Sequence, residues 1–294
     1  MSNTIGGINL QQISMMTLDT LLQDMPMLSS FTTDFSSDVA AKGESVTTRV
    51  ATAMTNQDLT AGYTPGDVTS SAKTVTLDFF KGRVVAFTDM EVAKGTLDLL
   101  QRTFIRPAAH AVVKGFMDDL FALVLAGNFS QSTLVTAANW DADDLADLAQ
   151  QATDAAIPKD DRFAILKPAY FASLSKDNSI QNSQAYGSNS AIVNNVVPRV
   201  HGFAIHEYAD VPANAQALEG IAGNKQGLIL AARVPAIPQN WYGEVSTVSD
   251  PQSGLTLQFR SWYDGNAGKQ LISVGVIYGV QIGVTGNIIR IRSA

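Results

Sequence analysis

Two hydrophobic periodicities divide this chain. Residues 45–54 (SVTTRVATAM) place Val46, Val50 and Met54 on one side and Arg49 on the other, and residues 74–87 repeat the alternation with Val75, Leu77 and Phe79. A period of two in segments rich in β-branched residues predicts strands. Between them, residues 55–73 (TNQDLTAGYTPGDVTSSAK) are mostly polar, with Gly62, Pro65 and Gly66 as turn signals. The pattern predicts a long two-stranded hairpin with a polar tip. Such a hairpin is at best marginally stable alone in water, so a second subunit is expected to support it.

The spacing then lengthens to that of a helix. Thr88-Asp89-Met90-Glu91 has the form of a capping box, followed by Ala93, Leu97, Leu100 and Phe104 on one face. Pro107 breaks or restarts the helix. Residues 107–125 are apolar on most sides (Val112, Val113, Phe116, Leu120, Phe121, Val124), with a polar stripe of His110, Lys114 and Asp118. That predicts a long buried helix ended by Gly127. Residues 141–157 predict another, with Asp141, Asp143 and Asp144 at its positive end and Leu145, Leu148 and Ala152 inward. A strand over 162–166, a helix over 168–175 and a polar surface loop over 176–195 follow. Strands are expected at 202–208, at 227–232 and within 254–291, where Asp264-Gly265-Asn266-Ala267-Gly268 joins two of them.

Composition sharpens the picture. Of 294 residues, 46% are apolar and 16% charged, against roughly 25% charged in average proteins. The surface must be largely neutral and polar, which suits packing against copies of itself without like-charge repulsion. Residues 1–41 contain no Lys or Arg but carry Asp19, Asp24, Asp34 and Asp38, beside Met15, Leu18, Leu22 and Met25 at helical spacing. They read as an acidic, partly mobile arm. The net charge of −7 and the absence of a basic cluster argue against sequence-specific nucleic-acid binding. With no cysteine, disulfides, zinc-thiolate sites and cysteine nucleophiles are excluded. The chain begins without a signal-peptide layout and has no apolar run near the roughly 20 residues of a membrane helix. A soluble, cytoplasmically made protein without cofactor is expected.

Candidate chemistry falls away when its spacing is checked. His201 and His206 are five apart, so in one strand they point to opposite faces, and His110 lies on the polar stripe of the long helix. Ser173-Leu174-Ser175-Lys176 matches S-x-x-K, but the S-D-N and K-T-G companions are missing, and a helix end explains it better. Gly265-Asn266-Ala267-Gly268-Lys269 is too short for a phosphate loop, and Gln270 follows where Ser or Thr is needed. Asp141, Asp143, Asp144 and Asp147 lack the glycine and the bidentate Glu of an EF-hand. No catalytic or metal constellation remains, and the chain is not expected to be an enzyme.

The order of parts carries more than any motif. Acidic arm, long hairpin, buried helix, α/β middle and returning strands together resemble the major capsid proteins of tailed bacteriophages, with the α+β Hong Kong 97-type fold. Phe87-Thr88-Asp89-Met90-Glu91 is similar to that family's passage from extended loop to spine helix. Residues 165–174 (ILKPAYFASL) are similar to its "strand, Pro, Tyr, x, x, Leu" step. Val200-His201-Gly202-Phe203-Ala204-Ile205 with Val211-Pro212, Gly227-Leu228-Ile229-Leu230-Ala231-Ala232 and residues 257–264 (LQFRSWYD) also fit.

The resemblance implies an N-terminal arm (1–44), an extended loop (45–88), a peripheral domain with a spine helix (89–127 and 240–294) and an axial domain (128–239). It implies a structural coat protein that assembles into hexamers and pentamers of an icosahedral head around double-stranded DNA. An encapsulin-like compartment shell protein is the alternative. Expected partners are further copies of itself, a separate scaffolding protein, a portal protein, non-specifically held DNA and, in some relatives, a decoration or cement protein. The expected place is the virion, after synthesis in the host bacterial cytoplasm. Arg49, Lys73, Val75, Leu77, Phe79, Lys81 and Arg83 are the expected contacts of the extended loop with a neighbour. Asp19, Asp24, Asp34 and Asp38 are the expected docking residues for scaffold.

Overall fold

The computed structural model describes residues 26–51, 60, 62, 70–94, 106–181, 197, 199–249 and 254–293. The arm residues before 26, the hairpin tip, the helical positions Leu97, Leu100 and Phe104, and most of the 176–195 loop lie outside them. The strands in chain order are β1 Thr32–Ala40, β2 Ser45–Ala51, β3 Ser70–Thr76, β4 Phe79–Thr88, β5 Ser132–Leu134, β6 Arg162–Leu166, β7 Ala204–Glu207, β8 Leu218–Asn224, β9 Leu228–Pro235, β10 Glu244–Ser249, β11 Thr256–Asp264, β12 Lys269–Ile282 and β13 Ile288–Arg292. The helices are α1 Asp89–Lys94, α2 Arg106–Ala122, α3 Ala142–Asp154, α4 Pro168–Lys176 and the single turn α5 Asn178–Gln181.

The first sheet is built around β12. Its strands run β1-β9-β12-β11-β10, and β4 lies antiparallel along β12 from Thr88 opposite Lys269 to Phe79 opposite Tyr278. Val274, Val276 and Tyr278 are every second residue of β12, and all are buried, in one core cluster with Phe116, Met117 and Leu120 of α2. The second sheet runs β5-β13-β8-β6-β7. Its central strands β13, β8 and β6 are buried on both faces. On β6, Phe163 and Ile165 join the α2 cluster, while Ala164 and Leu166 join Leu145, Leu148 and Leu174 of α3 and α4.

Local chemistry fixes the helix ends. The Thr88 amide donates to Glu91 Oε2 at 2.9 Å, and the Glu91 amide to Thr88 Oγ1 at 3.4 Å, the reciprocal pattern expected. Asp141 caps α3 by accepting from Asp143 and Asp144, while Asp144 accepts from the Asp141 amide. At the other end of α3, Arg162 is only 4% exposed. It donates to the carbonyls of Ile157 (2.5 Å) and Pro158 (2.9 Å) and, at 3.4 Å, to that of Ala149. A buried cation is tolerated there because carbonyls at a helix C-terminus supply the complementary charge.

Three sequence expectations need correcting. Residues 32–40 are not arm: β1 pairs in parallel with β9 and closes one edge of the first sheet. The hairpin is not 45–54 against 74–87. β2 pairs with β3, and β4 belongs to the main sheet, because the Asp78 amide turns back on the Thr76 carbonyl and redirects the chain. β9 lies in the first sheet and β13 in the second. His201 is in a turn with φ 45°, so only His206 is in a strand.

Candidate inter-subunit surface

The face of the first sheet turned away from α2 is covered over only part of its area. Over β9 and the end of β12 it is closed by the base of the β2–β3 ribbon, where Val75 and Leu77 pack with Ala40, Ile229, Ala231 and Ile277. Past that point it is open among the described residues. Strand alternation turns Phe80, Gly82, Val84 and Ala86 of β4 away from the α2 face, whereas Phe79 and Lys81 contact groups on that side. Phe80 is 56% exposed and Val84 52%.

Between Phe80 and Val84, Gly82 lies opposite Gly275 in the ladder. Two adjacent positions without side chains leave a trough of about 240 Å³, lined also by Arg83, Pro235, Gln258, Arg260 and Ser273. Arg260 shapes one wall. Its guanidinium donates to Gln258 Oε1 at 2.7 Å and to the Ala236 carbonyl at 3.0 Å, and lies 5.2 Å from the Trp241 ring centroid. Trp241 meets Trp262 edge-on at 5.2 Å. Tyr242, 88% exposed, and Ile237, 49% exposed, are close to Trp241 in sequence.

The residues expected to touch a neighbour separate into three groups. Val75 and Leu77 are 1% and 0% exposed against their own chain, and Phe79 stacks on Tyr278 at 5.3 Å, so these have little area left for another subunit. Lys81 pairs within its own chain, 2.6 Å from Asp119 of α2 and 5.1 Å from the Phe79 centroid, while 43% of its side chain stays exposed. The physical reason is the return of β4 to β12, which brings this segment back onto its own core. Arg83 stays exposed and lines the trough, and Lys73 is half-buried on the ribbon. The side chain of Arg49 lies outside the described residues, as do Asp19 and Asp24.

Of the other arm acids, Asp34 accepts from Arg233 at 2.9 Å within the β1–β9 pair and keeps a third of its side chain exposed, while Asp38 is exposed. Phe80, Val84 and Arg260 were not singled out by sequence reasoning. The doublet Phe79-Phe80 was the available signal, since adjacent strand residues cannot both face one core. Burial draws the His206 imidazole below its ordinary range. Among the described residues, no group of His, Asp and Glu could hold a metal ion, and no helix is long and apolar enough to cross a membrane.

No family model and no curated protein matches the sequence. Solved structures do match in fold. The capsid of the cyanophage P-SCSP1u aligns with a TM-score of 0.59 at 12% identity, covering 90% of this chain and 86% of that one. The mature capsid of bacteriophage PhiM1 aligns at 0.54 and 11% identity, covering 89% and 85%. A virus-like particle from Pyrococcus furiosus aligns at 0.52 and 13% identity, covering 96% and 99%. The fold of this chain is therefore the mixed α+β fold of tailed-phage capsid proteins, the Hong Kong 97 type.

Proposed function

We propose that this chain is a shell subunit and not an enzyme: the major capsid protein of a tailed phage, assembling as hexamers and pentamers around double-stranded DNA. The observation that carries the reading is likeness to capsid structures along about nine-tenths of the chain. The trough on the first sheet, flanked by exposed Phe80 and Val84, supports it as a surface suited to a neighbour. In this reading the first sheet with α2 is the peripheral part, and the second sheet with α3 and α4 is the axial part. The β2–β3 ribbon is the extended loop. Its far end lies over the trough of an adjacent copy, where Arg49 and Lys73 on the ribbon and Arg83 at the trough meet neutral or acidic groups. Scaffold docking falls to Asp19, Asp24 and Asp38. Portal and decoration partners follow from the same reading, as does location in the virion.

A second reading, an encapsulin-like compartment shell, is favoured by the match to the Pyrococcus particle, which covers nearly all of both chains. Electron microscopy of the protein expressed with and without its phage scaffold separates them. Large scaffold-filled or DNA-filled shells are expected, and small closed shells around protein cargo would establish the second reading. Discrete monomers or dimers under all conditions would overturn both. The same micrographs of an Asp19, Asp24 and Asp38→Asn variant test the arm: scaffold-filled shells at ordinary yield would remove its electrostatic role.

A further inference from the structure

The second sheet carries unlike charge on its two faces. On β13, Ile289 and Ile291 pack with Leu145 and Leu148 of α3, and Ile288 joins the α2 cluster on the other face. Strand alternation puts Arg290 and Arg292 on the face of Ile288. Arg290 is 4% exposed. It donates to the Phe129 carbonyl at 2.8 Å, to the Ser130 carbonyl at 3.3 Å and to Gln216 Oε1, all of them neutral groups. Arg292 is half-buried, and its Nε, shut off from solvent, has no hydrogen-bond partner among the described residues. Neither arginine is in an ion pair among the described residues. Burial, with the Arg292 charge second, draws the Arg290 guanidinium below its ordinary range. Two cations on one face are costly to bury unless an anion completes them. Leu134 of the edge strand β5 stands opposite Arg292 in the ladder and is 55% exposed, so a partner can reach this end of the sheet.

α3, on the opposite face, has the complementary excess. It carries four acids and no Lys or Arg. Asp144 is used at the start of the helix, where it accepts from the Asp141 amide. Asp143, Asp147 and Asp154 stand at i, i+4 and i+11, which is one stripe of a helix, and all three are exposed. None of them is in an ion pair among the described residues. The helix dipole favours Asp143 in the first turn, but it gives Asp147 no such support and opposes Asp154 at the C-terminal end.

We propose that these are the two halves of one contact between copies of this chain: the acidic stripe of α3 in one subunit docks on the Arg290–Arg292 end of β13 in the next, with Asp147, central in the stripe, meeting Arg292. The contact rests on the shell reading and adds to it which faces meet. A second copy is the occupant because the chain itself supplies the matching charge, on a face that its own arginines cannot reach. Two different patches that fit each other repeat head to tail, and they close a ring when the rotation between copies allows it. In a chain with only 16% charged residues, such a pair of patches fixes the register that a neutral polar surface leaves open.

Sedimentation velocity of the full chain over a range of salt concentrations tests the contact, with circular dichroism to verify folding. Asp143→Asn, Asp147→Asn and Asp154→Asn combined change only exposed positions and should not lower the unfolding midpoint. The combined variant should need roughly tenfold more protein to assemble at low salt, the scale on which two or three partly exposed charge pairs act. Its assembly should also lose most of the salt dependence of the wild type. Arg292→Glu alone and Asp147→Lys alone should each block assembly, and the two together should restore it. Within one subunit these residues belong to opposite faces of the sheet, so a purely structural role of Arg292 would not be rescued. If Arg292→Glu does not fold, Arg292→Gln replaces it and should match the combined Asn variant. Wild-type assembly by the combined Asn variant at every salt concentration, or no rescue by a folded double variant, would overturn the contact and leave the shell reading standing. Loss of duplex DNA retention in Arg292→Gln with assembly unchanged would assign the arginines to phosphate and overturn it as well. Monomers from wild type under all conditions would overturn the shell reading and the contact together.

Discussion

Gly279 shows how much one residue decides here. It sits on β12 opposite Ala231, where the ribbon base crosses the sheet, and a Cβ there would run into the Thr76 carbonyl and stand 2.9 Å from Val75 Cγ1. Gly279→Ala is expected to lift the ribbon from the sheet and destabilise the subunit by about 1–3 kcal/mol in denaturant unfolding, the usual cost of overpacking. An unchanged midpoint would mean that the ribbon base is not seated as described. Residue-scale chemistry was legible in the sequence where it is local. The Thr88–Glu91 and Asp141 caps join groups three residues apart or fewer. The Asp34–Arg233 pair joins groups 199 apart, and nothing in a one-dimensional pattern brings those together.

At the scale of elements, α2 and the ribbon stand at opposite ends of legibility. The helical period predicted Val112, Phe116, Leu120, Phe121 and Val124 inward, and all are buried, while His110, Lys114 and Asp118 form the polar stripe. The ribbon was anticipated as two strands, but its partner strand was misplaced. A period of two in 74–87 continues across the turn at Thr76, so alternation alone cannot tell one long strand from two consecutive ones. The base is held by the Leu77 amide on the Glu44 carbonyl at 2.8 Å and by the Gly43 amide on the Leu77 carbonyl at 2.9 Å. Amides of residues 75–77 are therefore expected to exchange slowly in unassembled subunits as well as in shells. Fast exchange before assembly would show that the base forms only on a neighbour.

For the whole molecule, the trough is where the shell reading can be broken without breaking the fold. Val84 is half-exposed on a strand whose other face carries the core, so Val84→Lys and Phe80→Ser are expected to leave the unfolding midpoint within about 0.5 kcal/mol of wild type. Both should abolish assembly in sedimentation velocity, because a buried unpaired charge or lost aromatic contact at an interface centre costs about 2 kcal/mol or more. Normal shells from both variants would place the neighbour contact elsewhere.

What the sequence determined by itself was the order and type of most elements, the buried helix and the Thr88–Glu91 cap, because each rests on periodicity or on groups a few residues apart. Tertiary structure alone decided that 32–40 pair with β9, that β4 returns to β12, and that β9 joins the first sheet and β13 the second. Strand pairing is non-local: the same alternation satisfies many partners, and only packing of both faces of each sheet selects one. The open face of the first sheet arises in the same way. Phe80 and Val84 are apolar and in strand register like their buried neighbours, but the ribbon base packs on Ile229, Ala231 and Ile277 and not on them.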